Sequence, residues 1–158
     1  MGGGILPVSL QNGHLYFLLG KERGSNEWSD FGGSKEKGEI PFQTAMREGT
    51  EELSGFFGSQ HHLEKEVKEN MVAKLEAQNK SYTSFVFLTN YDPKLPKYFN
   101  NNFRFMKKMA PEVVKSKNGL FEKSEIKWVR QDRLNNSGMR YRQFFYNGIV
   151  TQIKKIKI

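Results

Sequence analysis

GSKEKGEIPFQTAMREGTEELSG occupies residues 33–55 of the 158-residue chain. A proline suits the first turn of a helix, and the apolar residues after this proline recur at helical spacing, so we predict an amphipathic helix over Pro41 to Leu53. On that helix Glu48 shares a face with Glu51 and Glu52, which follow it at i+3 and i+4. Three carboxylates therefore converge on one side of the helix.

This carboxylate face predicts a metal site. Without a cation, like charges at such spacing destabilise a helix by roughly a few tenths of a kcal/mol per pair, so a bound divalent metal would offset the repulsion. Oxygen-only ligands suit Mg²⁺ or Mn²⁺, and Mg²⁺ binds through a few carboxylates together with substrate phosphates. The alternative for an isolated cluster is a solvated acidic face, on which Arg47 simply pairs with Glu51.

The flanking sequence predicts strands. Two apolar runs, Ile5 to Leu10 and Leu15 to Gly20, are joined through Asn12-Gly13, the commonest signal for a tight β-hairpin. The glycine-rich segment Trp28 to Gly33 is interpreted as a loop that needs close approach of the backbone. The remaining strand candidates are an antiparallel pair, Met71 to Leu75 with Tyr82 to Leu88, and the short run Ile126 to Arg130.

Three further segments have helical character. His61 to Glu69 is polar and fits a short exposed helix or a loop, and Lys97 to Met109 predicts an irregular helical insertion. Apolar residues at helical spacing, among them Phe145 and Ile149, predict a closing helix from about Met139. Together the elements predict one domain over residues 1–158, an α+β sandwich with a mixed sheet packed between helices.

The composition narrows the chemistry. The chain has no cysteine, which excludes disulfides, zinc-thiolate sites and thiol nucleophiles and fits a reducing compartment. It contains no apolar run long enough to cross a bilayer. We therefore expect an intracellular, cytoplasmic protein without a membrane partner, and the sequence makes no prediction of oligomeric state.

A net charge of +8 favours polyanionic partners such as nucleotides or RNA, although a solvated basic surface fits it equally well. Basic and aromatic residues alternate in one region, where they predict either a grip on RNA or a solvated insertion. These residues are Lys94, Lys97, Tyr98, Phe99, Phe103, Arg104, Lys107 and Lys108.

The spacing of six residues resembles the signature of the Nudix hydrolase family, whose box would span about residues 33–55. These residues are Gly33, Glu39, Arg47, Glu48, Glu51 and Glu52. The resemblance is tightest from Trp28 to Gly55. It implies an α/β/α sandwich and a Mg²⁺- or Mn²⁺-dependent enzyme that directs water at a phosphorus of a nucleoside diphosphate linked to another group.

The resemblance also implies roles for individual residues. Glu48, Glu51 and Glu52 correspond to metal ligands, Glu39 would support the metal shell, and the carbonyl of Gly33 or Gly32 would face the metal. Arg47 would orient the glutamates by ion pairing.

A further ligand or general base is expected shortly before a tryptophan-bearing strand. Glu122 fits best, Glu125 is the second choice, and Glu48 could equally be the base. The expected catalytic residues are thus Arg47, Glu48, Glu51 and Glu122. Substrate is expected at the loop residues Trp28, Phe31, Gly32 and Gly33, with packing as the alternative role of the two aromatic rings.

Some residues depart from the family pattern. Gly49 stands where an aliphatic residue is usual, and it lowers helix propensity by about 1 kcal/mol relative to alanine. Ile40 replaces a capping Ser or Thr, and Ser54 and Gly55 replace the usual end of the box. All the glutamates of the family pattern are present.

Three functions follow as hypotheses. The first is hydrolysis of a diphosphate linkage in a nucleoside triphosphate, dinucleoside polyphosphate or nucleotide conjugate. The second is removal of the 5′ cap of mRNA by the same chemistry. The third is a non-catalytic module that binds a nucleotide or an RNA end.

Overall fold

The predicted hairpin forms the centre of the sheet in the computed structural model, which describes residues 1–158. Strands β1 (Gly2–Gln11) and β2 (His14–Glu22) pair antiparallel. Asn12 and Gly13 join them with φ values of 51° and 79°. Both angles are positive, as the commonest two-residue hairpin turn requires, so the prediction of a hairpin is confirmed.

Five more strands complete a mixed sheet: β3 (Trp28–Ser29), β4 (Phe31–Ser34), β5 (Met71–Glu76), β6 (Tyr82–Leu88) and β7 (Lys123–Arg130). The strand order is β3-β2-β1-β6-β5, with β4 paired to β1 and β7 paired to β2. β1 and β6 run parallel, whereas the other pairs are antiparallel.

Helices cover both faces of this sheet. They are α1 (Pro41–Glu52), α2 (Gln60–Asn70), α3 (Lys94–Met109), α4 (Pro111–Lys115), α5 (Gln143–Phe145), a π-helix (Tyr146–Val150) and α6 (Thr151–Ile153). Along β6, Phe85 and Phe87 enter one core, which contains side chains of α1, α2 and α3, while Val86 enters a second core that contains the C-terminal helical segment. Successive strand side chains point to opposite faces, so this alternation builds two cores. The predicted α/β/α sandwich is confirmed.

The structure corrects several boundaries. The segment Trp28 to Gly33 was predicted as a loop, but most of it forms β3 and β4. The closing helix begins at Gln143 rather than near Met139, because the backbone N–H of Arg142 donates to the carbonyl of Trp28 at 2.9 Å. That bond holds the chain extended beside β3.

The helical segments are also better defined than the sequence predicted. The polar segment around His61 is the helix α2, whose N-terminus is capped by the side chain of Ser59. The predicted irregular insertion is the regular helix α3, which begins at Lys94. None of the helices is long and apolar enough to cross a membrane.

Gly49 explains how α1 lies so close to the sheet. A Cβ atom added at Gly49 would lie 2.6 Å from Cδ1 and 2.8 Å from Cγ1 of Ile5, a fully buried residue of β1. The departure from the family pattern at this position therefore brings the helix against β1. Because α1 carries the predicted metal ligands, this contact also sets where they lie.

We expect Gly49→Ala to destabilise the protein although alanine favours helix. The propensity gain is about 1 kcal/mol, whereas overpacking a core typically costs about 1–3 kcal/mol. The net loss should be of order 1 kcal/mol and lower the melting temperature by about 2–4 °C. Thermal denaturation followed by circular dichroism measures it. Gly24→Ala is the matched control, since a Cβ there meets no atom within 4 Å; equal melting temperatures for the two variants would contradict the proposed contact.

Candidate active site

The glutamate face of α1 borders a cavity of about 520 Å³. Its lining contains six glutamates and three basic residues, and none of its residues is hydrophobic. The lining residues are Glu22, Gly32, Gly33, Ser34, Glu36, Arg47, Glu48, Glu51, Glu52, Lys117, Asn118, Gly119, Glu122 and Arg142. A protein of net charge +8 thus contains one strongly acidic recess.

Three carboxylates meet inside this recess. Oxygen atoms of Glu48, Glu52 and Glu122 all lie within 4.8 Å of one another. Glu122 comes from the segment before β7, so the fold brings it to α1 from far along the chain. A set of carboxylate oxygens suits Mg²⁺ or Mn²⁺. Glu51 also lines the cavity but lies outside this group, beside Gly119.

The two glycines of β4 support these carboxylates. The backbone N–H of Gly32 donates to Oε2 of Glu52 at 2.9 Å. A Cβ added at Gly33 would lie 2.6 Å from Oε1 of Glu48, so only glycine leaves room for this carboxylate. The close approach predicted for the glycine segment is therefore an approach to α1, and it places the Gly33 backbone at the edge of the cluster.

Arg47 links the glutamates of α1 to Glu39. Its Nε donates to Oε1 of Glu39 at 2.8 Å, and its Nη1 donates to Oε1 of Glu48 at 2.8 Å. The bond from Arg47, together with a bond from the backbone N–H of Glu36, lowers the pKa of Glu39 to about 2, so Glu39 stays ionised and keeps the guanidinium in place. Glu39 is not part of the cavity lining, and it contacts the cluster only through Arg47.

Lys123 supplies a second positive charge from beneath the cluster. The residue is fully buried, and its Nζ lies 2.6 Å from Oε1 of Glu22 and 3.7 Å from Oε2 of Glu52. It also donates to Oγ of Ser29 at 3.0 Å. A buried ammonium requires partners of this kind because removal from water penalises an unpaired charge.

A β-bulge orients this lysine. In the β2–β7 register Lys21 faces Glu125 and Glu22 faces Lys123, which leaves Ser124 as an extra residue. The bulge directs Glu22 and Lys123 to the cavity side, while Lys21 and Glu125 form a separate, half-exposed ion pair at 2.8 Å. Bulges commonly redirect side chains beside active sites.

Burial sets the electrostatics of the cluster. It raises the pKa of Glu48 and of Glu51, and it raises the pKa of the buried Glu52 well above the ordinary value. Neighbouring carboxylates, including Glu122, act in the same direction on all three. The recess therefore disfavours additional negative charge unless a cation is present.

Several residues predicted for the site lie elsewhere. Trp28 is 8% exposed and Phe31 is fully buried; each packs in one of the two cores, and neither lines the acidic cavity. Glu125, the second choice for the base, lies outside the cavity because of the bulge at Ser124.

Other cavity residues had no signal in the sequence. Glu22 and Arg142 are joined by a hydrogen bond of 3.3 Å between residues 120 positions apart, and Lys123 lies 101 positions from Glu22. Lys117, Asn118 and Gly119 enter the lining from the segment after α4.

A second cavity of about 250 Å³ adjoins the first and shares Gly32, Gly33, Ser34 and Arg142 with it. Its walls include Tyr82 and Phe144, whose rings meet at 5.0 Å. The Arg142 guanidinium lies 4.8 Å from the centre of the Phe144 ring. An acidic cavity and a partly aromatic one therefore share a wall.

Comparisons with known proteins bear on the fold. No family model matches the sequence, and no curated protein matches it. A Nudix hydrolase from M. smegmatis, RenU, is 14% identical, with 93% of this chain and 79% of that chain covered and a TM-score of 0.47. The NUDIX domain of Shewanella oneidensis NrtR, complexed with ADP ribose, is 11% identical, with 98% and 85% covered and a TM-score of 0.52.

A bifunctional NMN adenylyltransferase/ADP ribose pyrophosphatase from Francisella tularensis, complexed with AMP and a manganese ion, is 16% identical. The alignment covers 94% of this chain and 40% of that chain, with a TM-score of 0.54. At such identities the likeness to NrtR and to this bifunctional protein establishes the fold. The chain has the Nudix fold, as the sequence resemblance predicted.

We expect Lys123→Met to destabilise the protein strongly, because it leaves Glu22 and Glu52 without their buried cation. Removing one partner of a buried pair typically costs about 3–5 kcal/mol. Urea denaturation in EDTA gives the free energy of unfolding. Lys21→Met is the matched control: it breaks the exposed pair across the same bulge and should cost less than about 1 kcal/mol. Similar losses in both variants would show that Lys123 is not the counter-ion of the cluster.

Proposed function

We propose that this protein is a divalent-metal-dependent pyrophosphohydrolase that cleaves a diphosphate linkage in a nucleoside-diphosphate-linked substrate. The observation that carries the proposal is the convergence of Glu48, Glu52 and Glu122 in an acidic recess of a basic protein. Such a recess repels a diphosphate on its own. A divalent cation held by these carboxylates would let the recess accept a diphosphate.

Glu48, Glu52 and Glu122 would hold the cation, with Glu51 at the edge of the same cavity. When bound, the cation would neutralise phosphate charge and make water a better nucleophile. Arg47 would keep Glu48 oriented, and Gly32 would keep Glu52 oriented through its N–H. Lys123 would limit the repulsion within the carboxylate set while the cation is absent.

In the proposed reaction a water oxygen adds to one phosphorus, and the bond from that phosphorus to the bridging oxygen breaks. The bridging oxygen leaves with the second phosphate, and a carboxylate accepts the proton released by the water. Glu48 and Glu122 both face the recess, and distance to the bound water decides which of them is the base. Each of the two products ends in a phosphate group, one formed at the attacked phosphorus and one at the leaving oxygen.

The adjoining cavity supports a nucleoside-linked substrate. A diphosphate in the acidic recess would place the group attached to it near Arg142 and Phe144, which are partly exposed in the adjoining cavity. Aromatic and guanidinium groups offer flat surfaces against which a base can lie. Two proteins with the same fold are described as complexes with ADP ribose and with AMP and manganese, which accords with this class of substrate.

Divalent metal should stabilise the folded protein. At a metal concentration of 100 times Kd the gain is about 2.7 kcal/mol, which for a chain of this size raises the melting temperature by about 5–10 °C. Scanning calorimetry with Mg²⁺ or Mn²⁺ measures the shift. Glu52→Gln should abolish it, whereas Glu125→Gln, on the far side of the bulge, should retain it. A full shift in Glu52→Gln would place the metal elsewhere.

The activity itself is tested with purified protein, Mg²⁺ and a panel of nucleoside triphosphates, dinucleoside polyphosphates, nucleotide conjugates and capped RNA, with products identified by mass spectrometry. We expect a nucleoside monophosphate among the products. Loss of a group worth about 3 kcal/mol of transition-state stabilisation lowers kcat roughly 100-fold, so Glu52→Gln and Glu122→Gln should lose at least that much.

Glu125→Gln is the control for this experiment and should turn over substrate at the rate of the unmodified protein. Unchanged turnover in Glu52→Gln and Glu122→Gln would overturn the assignment of the site. Tight binding of a nucleotide with no product from any member of the panel would show that the protein is a binding module rather than an enzyme.

A further inference from the structure

Most of the excess positive charge of the protein lies in one segment. Residues 94–117, which form α3, α4 and the start of the following loop, contain seven basic residues and one acidic residue. They account for a net charge of +6 out of the total of +8. The seven basic residues are Lys94, Lys97, Arg104, Lys107, Lys108, Lys115 and Lys117.

These seven basic residues have no carboxylate partners; Arg104 donates a hydrogen bond to the side-chain amide of Asn101. All of them are exposed, and none has a carboxylate within 4.0 Å. Arg47, Lys123 and Arg142 differ, since each is paired with a glutamate. The charge on α3 is therefore free to act on a partner outside the protein.

The outer face of α3 also carries exposed aromatic rings. Phe99 and Phe103 point inward and are 2% and 5% exposed, whereas Tyr98 and Phe105 are 56% and 60% exposed. On the helix these two outer rings alternate with basic and amide side chains at i+3 and i+4 spacing. The stripe, which we call the outer stripe of α3, consists of Lys97, Tyr98, Asn101, Arg104, Phe105 and Lys108.

The outer stripe has a fixed position relative to the acidic cavity. The side chain of Asn100 bonds both backbone groups of Ile126, accepting from its N–H at 2.8 Å and donating to its carbonyl at 3.2 Å. These two hydrogen bonds hold α3 against β7, the strand that begins at Lys123. Beyond α4 the chain continues into Lys117, Asn118 and Gly119, which line the cavity.

We propose that the outer stripe of α3 binds single-stranded nucleic acid and leads its phosphorylated 5′ end toward the acidic cavity. Unpaired cations bind the phosphates, and Tyr98 and Phe105 stack with unpaired bases, a combination typical of single-strand surfaces. Delivery of the 5′ end rests on the proposed function, while binding to the stripe does not. A polar Asn101 and a charged Arg104 separate the two rings, so the stripe lacks the continuous apolar face by which a helix enters a lipid surface.

The charge on the stripe is tested by fluorescence anisotropy with a labelled, unstructured 15-nucleotide RNA in EDTA. We expect the triple variant Lys97→Glu, Arg104→Glu and Lys108→Glu to weaken binding by about tenfold or more at 0.1 M salt, and the slope of log K against log salt to shrink by about 2. The matched control replaces Lys80, Lys155 and Lys157, which are exposed outside residues 94–117, with glutamate. Both variants have a net charge of +2. An equal loss of RNA affinity in the control would show that net charge alone explains the effect, and it would overturn the proposal.

The double variant Tyr98→Ala and Phe105→Ala tests stacking. It should weaken binding of the single strand by about tenfold while leaving the salt slope unchanged, because stacking releases no counterions. It should also remove most of the preference for single-stranded RNA over duplex RNA. Unaltered binding in this variant would overturn the role of the rings. The same measurement with single-stranded DNA identifies which nucleic acid the stripe prefers.

Two further outcomes separate this inference from the proposed function. Turnover of free nucleotides should be the same in the triple variant and in the unmodified protein, since none of the three residues lines the cavity. Hydrolysis of free nucleotides without RNA binding would overturn the inference and leave the proposed function standing. RNA binding without hydrolysis would support the inference and overturn the proposed function. Binding to vesicles of anionic lipid, without binding to RNA, would show that the partner is a membrane.

Discussion

Repulsion among the glutamates of the acidic recess is the constraint on which the rest of the site depends. Six carboxylates line one cavity, and three of them lie close enough to share an ion. Arg47 neutralises them from helix α1 and Lys123 from strand β7. Both cations hold fixed positions in the folded chain, because Arg47 is tied to Glu39 and Lys123 to Glu22. The fold therefore keeps these carboxylates close together, whereas flexible glutamates on an open surface would move apart.

The parts of this arrangement that depend on short sequence distances were predictable. Glu48 and Glu52 share a face because of helical geometry alone, and Asn12-Gly13 closes a hairpin because both residues accept positive φ angles. The sandwich with two cores was also predictable from the sequence. A strand covered on both faces has apolar residues at successive positions, as Phe85, Val86 and Phe87 show.

Contacts between distant segments were not predictable from local pattern. The sequence near Lys123 does not predict its contact with Glu22, which lies 101 positions away. The choice between Glu122 and Glu125 depends on a β-bulge that has no sequence signature of its own. The burial of the aromatic residues in the glycine segment was not predictable for a related reason. Trp28 and Phe31 resemble cleft residues when read beside Gly32 and Gly33, yet strand alternation turns both rings into the cores.

The bulge at Ser124 makes the proposed metal site depend on the correct alignment of β2 and β7. Glu122 and Lys123 are consecutive, so a slip of one residue between β2 and β7 would withdraw the Glu122 carboxylate together with the buried counter-ion of Glu22 and Glu52, and would carry Glu125 toward the interior in their place. A misaligned molecule would then lack both the carboxylate cluster and the buried cation that balances its charge. The proposed affinity for a divalent ion would thus report on strand alignment and favour the correctly paired form by mass action.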